Sequence, residues 1–209
     1  MSLLLVDVAL VGGGILLGRW IMRRMRARSG DARAEASAAK ERPAPKRDPF
    51  EGLPCKLGDV LVRVAERDEA WLAGALVLEE ERPVAVLFVA PEAGGDRAIF
   101  VRPPPPAEVV WLTPLKKGEL ALTADPPHSI EHAGARFRRV RRLPVTVSRL
   151  GSGAPAVGAQ GIVAEYEGGG TERIVVLAAG QEILAWRGVA LGDGEYDVLP
   201  GDASTLESV

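Results

Sequence analysis

Cysteine occurs once in 209 residues, at Cys55, so the chain has no means of building an intramolecular disulfide framework and suits a reducing compartment. With no activating base in its local sequence, that thiol is expected to be a small core or edge residue. Aromatic residues make up only 5% of the chain, and the core demanded by its 47% hydrophobic content must be filled mainly by Val, Leu, Ile and Ala. An excess of positive charge is missing as well. The ten Lys/Arg and six Asp/Glu of residues 1–54 give +4, the sixteen and twenty-two of the remainder give −6, and the whole chain is −2. A body of that sign argues against nucleic acid as a partner, because phosphate neutralisation supplies most non-specific affinity. Neither Gly12-Gly13-Gly14 nor Gly168-Gly169-Gly170 has the Gly-Lys-Ser/Thr ending of a phosphate loop, and no nucleophile elbow surrounds Ser129, Ser148 or Ser152.

What is present begins with an apolar stretch. Leu3 to Met22 is about as long as the roughly 20 residues that cross a hydrocarbon core. Only Asp7 and Arg19 interrupt it, each near an end, and Trp20 sits where an interfacial aromatic belongs. Arg23, Arg24, Arg26 and Arg28 follow directly. A secretory signal carries its charge before the apolar part, so this order predicts an uncleaved transmembrane helix in the bacterial inner (cytoplasmic) membrane, with the N-terminus outside and everything after residue 28 in the cytoplasm. Gly14 and Gly18 form a G-x-x-x-G pair that would let two such helices approach and self-associate, making a homo-oligomer.

Residues 29–52 mix small residues, both charges and several prolines without apolar periodicity, as a disordered linker does. From residue 53 to 201 the pattern becomes short Val/Leu/Ile runs bounded by turn residues, which predicts a mainly β domain, followed by a tail over 202–209. Strands are expected near Asp59–Ala65, Ala70–Leu78, Val84–Ala90, Ala98–Arg102 and Val109–Thr113. A second set is expected near Arg136–Arg149, Gly161–Glu167, Arg173–Ala178, Glu182–Trp186 and Tyr196–Leu199. The sets look related: each opens with glycine before a strand, passes a glycine hairpin and closes on an apolar strand with proline, Val109 to Pro114 in one and Tyr196 to Pro200 in the other. Two small antiparallel β units, 53–118 and 128–201, packed as a barrel or sandwich, are the predicted architecture. Trp71, Trp111 and Trp186 are expected to anchor their core.

Several strings in this body, Leu57-Gly58-Asp59-Val60, Gly134-Ala135-Arg136-Phe137, Glu165-Tyr166-Glu167 and Trp186-Arg187-Gly188 followed by Glu195 to Pro200, carry a family likeness. Through them, residues 53–201 resemble the bacterial family catalogued as domain of unknown function 4178 (DUF4178). The resemblance implies a β-rich domain without an established activity.

Two constellations could carry chemistry. His128-Ser129-Ile130-Glu131-His132 is an H-x-x-E-H string, which on a helix would present two imidazoles to zinc and a carboxylate as general base, making a small metal-dependent hydrolase. Pro126, Pro127 and Gly134 leave too little room for that helix, so a loop and strand start is expected there, and no metal or cofactor. The second constellation is Arg136-Phe137-Arg138-Arg139-Val140-Arg141-Arg142. Strand alternation would put Arg136, Arg138 and Arg142 on one face, where they could grip an anionic lipid headgroup or acidic partner, although pairing with nearby carboxylates is the expected role. The reading as a whole is a membrane-anchored protein with a cytoplasmic, non-catalytic binding or scaffold module that holds an unidentified protein partner.

Overall fold

The computed structural model describes residues 48–91, 96–105 and 107–201. They contain twelve strands and no helix: β1 (Val60–Arg63), β2 (Asp68–Trp71), β3 (Gly74–Glu79), β4 (Pro83–Ala90), β5 (Arg97–Arg102), β6 (Glu108–Pro114), β7 (Ser129–His132), β8 (Ala135–Gly151), β9 (Gln160–Glu167), β10 (Glu172–Ala179), β11 (Glu182–Leu191) and β12 (Tyr196–Leu199). The predicted transmembrane helix with Gly14 and Gly18, the linker up to residue 47 and the tail 202–209 lie outside the described residues. Among the described residues no helix is long and apolar enough to cross a membrane.

Strands β3 to β6 form one antiparallel meander and β8 to β11 a second. The meanders meet last to last, β6 on β11, and first to first, β3 on β8, closing an eight-stranded antiparallel barrel. Closure leaves no barrel edge with unpaired backbone groups. Strand β7 hairpins onto the start of β8, and β12, β1 and β2 form a separate three-stranded sheet. The connectivity reads alike from either meander, but it equates β6 with β11. The sequence comparison had set Val109 to Pro114 beside Tyr196 to Pro200, and those last residues belong to the small sheet against β1.

Strand alternation explains where the core sits. Leu76, Leu87, Phe100, Leu112, Val163 and Leu177 point inward and fill the barrel, as side chains do at eight strands. The outward faces are covered too. On the first meander Val77, Val86, Phe88, Ile99 and Trp111 pack under Leu61, Ala70 and Leu72 of the small-sheet region. On the second, Ala164, Tyr166, Ile174 and Val176 lie under Leu120, Ile130 and Phe137. Burial on both faces is why β3 to β5 read as near-continuous apolar runs instead of alternating ones. Packing is close enough that a Cβ on Gly188 would come within 1.8 Å of the Trp111 carbonyl oxygen across the β6–β11 pair.

Several expectations are corrected in detail. The single strand expected over Ala70–Leu78 is two, β2 and β3, broken at Leu72 and Ala73. Ala73 turns the chain from the small sheet into the barrel, its N–H bonded to Val89 O at 3.1 Å and its carbonyl accepting from Ser152 N at 2.9 Å. Trp111 and Trp186 are core residues, whereas Trp71 is 46% exposed. It stands on the outer face of the small sheet, where Val60 lies opposite both Trp71 and Leu199.

Candidate binding site at the barrel mouth

Strand directions put the β3–β4, β5–β6 and β9–β10 connections at one end of the barrel, here the base. The β4–β5, β8–β9 and β10–β11 connections and the chain leaving β6 lie at the other end, the mouth. The two ends are chemically unlike.

At the base the inward alternation of β5, β6, β8, β9 and β10 continues past the apolar layers into charge. Arg102 reaches Glu165 at 3.2 Å and Glu108 at 2.7 Å. Arg141 meets the other Glu165 oxygen at 3.1 Å, and Arg173 joins Glu108 at 3.0 Å and Glu167 at 3.6 Å. Three arginines thus face three glutamates in five ion pairs, each joining a different pair of strands. Burial raises the Glu165 carboxyl above its ordinary range, while Arg102 and Arg141 pull the other way. Both oxygens are held by guanidinium groups, so neither is left to move a proton for a substrate; the network closes the base.

The mouth is apolar and open. A cavity of about 420 Å³ lies there, within the ordinary range for small-molecule sites. Trp186 and Leu184 line it from the inward face of β11, Ile183 from the outward face, and Leu115, Leu120 and Leu122 from the segment that follows β6. Of these, Leu115, Leu122, Ile183 and Leu184 remain only half buried, although the same strands are otherwise covered on both faces. Around the rim stand Arg97, Lys116 and Lys117 against Asp96 and Glu182. Only Lys117 and Glu182 approach each other, at 3.9 Å with both side chains largely in solvent, a geometry of little energetic weight.

The wall of the mouth is local sequence held by distant residues. Leu115 N–H donates to Ala185 O at 2.8 Å, extending the β6–β11 ladder by one step, and Glu119 N–H closes a turn on Lys116 O at 3.1 Å. At its far end the segment is bolted to the barrel: Tyr166 Oη donates to Pro127 O at 2.7 Å, Arg139 donates to Pro126 O, and Arg142 grips Asp125 Oδ1 at 2.9 Å. The arginine string therefore acts chiefly as a fastener. Its expected common face for Arg136, Arg138 and Arg142 is not observed, because a bulge leaves Val140 unpaired between Arg139 and Arg141 and inverts the alternation. Arg142 consequently lies opposite outward-facing Ala164, while Arg141 turns inward to Glu165 and Arg136 and Arg138 stay exposed in the β7–β8 hairpin.

The H-x-x-E-H string is strand, not helix. Glu131 and His132 belong to β7 and His128 precedes it. The ring of His128 lies against Arg139 at 3.1 Å, Glu131 is exposed, and His132 Nε2 sits 4.0 Å from Glu119. The three side chains do not converge. Among the described residues no group of three or more His, Cys, Asp or Glu is placed to hold a metal ion. Cys55 is buried, and that burial, reinforced by Asp59, pushes its thiol up to about 12, a protonated and unreactive state.

Sequence reasoning missed the mouth altogether. The available signal was the stretch 115–128, fourteen residues without a strand between β6 and β7 yet carrying Leu115, Leu120 and Leu122. Structureless connections of that length inside a compact domain are uncommon and are frequently binding elements. Comparison with protein-family models, with curated proteins and with solved structures found no match to this chain, so the likeness to domain of unknown function 4178 rests on the quoted residues alone.

Proposed function

We propose that this chain is a single-pass, membrane-anchored bacterial protein whose cytoplasmic β-barrel is a non-catalytic binding module, taking an apolar ligand at the mouth as an accessory or scaffold subunit of a membrane-associated system. The observation that carries it is the mouth itself: leucines and Ile183 left half in water around a 420 Å³ cavity. Leaving such surface uncovered forfeits burial worth about 25 cal/mol per Å² unless something else occupies it. The polar groups nearest to chemistry support the same reading, since Glu165 is engaged with Arg102 and Arg141 and His128 with Arg139 around the second meander. The anchor rests on the apolar stretch and its trailing arginines, and the positive-inside bias puts the barrel in the cytoplasm.

The test uses the full chain in phosphatidylcholine nanodiscs with a neutral photoreactive medium-chain methyl ester. Crosslinks mapped by mass spectrometry are expected on the segments 115–122 and 183–186. Labelling spread evenly over the surface, or a full-length chain recovered without detergent in the soluble fraction, would overturn the reading.

A further inference from the structure

Resting on the mouth as a binding site, a more specific chemistry follows. We infer that the ligand is a single-chain anionic amphiphile: an acyl chain lies in the cavity and its carboxylate or phosphate monoester head is held at the rim by Lys116, Lys117 and Arg97.

Size limits the chain. A cavity of 420 Å³ holds the volume of about 14 waters at roughly 30 Å³ each, hence about a dozen chain atoms. That matches one medium-length acyl chain better than the two long chains of a diacyl lipid. Shape agrees, because Trp186 and Leu184 deepen the cavity toward the barrel interior while Leu120 and Leu122 wall its outer side.

Charge selects the head. Among the described residues the rim carries three cations against two carboxylates, although residues 53–201, with sixteen Lys/Arg and twenty Asp/Glu, are −4. Lys116 and Arg97 have no ion-pair partner among the described residues, and Lys117 has only the loose contact to Glu182 at 3.9 Å. Cations without an ion-pair partner among the described residues have donors to offer an incoming anion as charge-assisted hydrogen bonds. An amine head would meet repulsion, and a neutral ester would leave the rim unused.

The start of the described chain lies beside the mouth. Phe50, near the start of the described chain, stacks on Phe88 with ring centroids 5.6 Å apart, and the next residue along β4, Val89, lines the cavity. The chain thus enters the domain at the barrel end that holds the mouth.

The experiment compares four photoreactive probes with one medium-length chain and different heads (carboxylate, phosphate monoester, primary amine and methyl ester) on the full chain in phosphatidylcholine nanodiscs. Crosslinking of 115–122 and 183–186 by the anionic probes is expected to exceed that by amine and ester about tenfold, the order of one charge-assisted contact. The stronger anionic head distinguishes a fatty acid from a lysophospholipid-type ligand. A Lys116→Glu/Lys117→Glu chain should lose that advantage while keeping its ester labelling and circular dichroism spectrum. Equal labelling by all four heads, or carboxylate labelling unchanged in the double variant, overturns the inference and leaves the binding mouth standing. Absence of labelling at these segments with every probe removes both.

Discussion

The two ends of this barrel solve opposite problems. At the base, charged side chains are drawn inside and almost every polar atom finds a partner, so the end is polar yet satisfied. At the mouth, apolar side chains are brought to the surface and left short of neighbours, so the end is apolar yet incomplete. A partly buried ion network centred on a buried carboxylate contributes little net stability but is expensive to break, whereas an uncovered apolar rim costs little to alter and has binding surface to offer. The contrast separates the end that fixes the fold from the end free to serve function.

The sharpest way to break this comparison is at the base. Arg102→Met removes one cation from between Glu165 and Glu108, and leaving those carboxylates short of a partner is expected to cost about 3 kcal/mol, read as a lowered thermal midpoint of the full chain. A change under about 1 kcal/mol would show that the network is no more constraining than a surface ion pair. A smaller effect concerns pH. Because the folded Glu165 carboxyl titrates above its ordinary 4.5, the folded state keeps this proton longer than the unfolded state does. Its contribution to stability therefore falls as pH rises from about 4.5 through the raised value. Stability measured against pH for wild type and Glu165→Gln should show the variant gaining on wild type across that window; a gap moving the other way would mean that the arginines outweigh burial. The smallest effect belongs to the mouth. Leu122→Ser should cost less than about 1 kcal/mol, since Leu122 is only half buried, while reducing probe labelling of 115–122. A loss as large as that of Arg102→Met would make the mouth a structural seam instead of a site.

How much of this was legible in the sequence depends on the range of the interactions involved. Ten strands were visible because apolar runs and glycine turns are local, and the barrel-or-sandwich alternative narrowed to a barrel only through the β3–β8 and β6–β11 pairings, which no local pattern announces. Strand β7 was hidden by its four-residue length and by a motif that drew attention to metal chemistry. The arginine string was placed on the right element but the wrong faces, since alternation counts residues and cannot register the one that bulges at Val140. The Glu165–Arg102 pair joins positions 63 apart, and the mouth joins β4, β6 and β11 with the segment after β6. The strings that carry the family likeness do have structural work: Asp59 and Tyr166 are fastening residues, and Glu165 is the centre of the base network.

Asp59 is the feature with the widest reach. Buried at 4% exposure, its carboxylate accepts from Lys56 N at 2.9 Å and from Gly201 N at 3.0 Å, clasping the beginning and the end of the described domain at one point. A pull arriving along the chain at Asp48 meets this clasp and the small sheet before it reaches Gly74, where the barrel begins. Tension applied at residue 48 would therefore be borne first by the Asp59 clasp and the β12–β1–β2 pairing, ahead of the barrel strands.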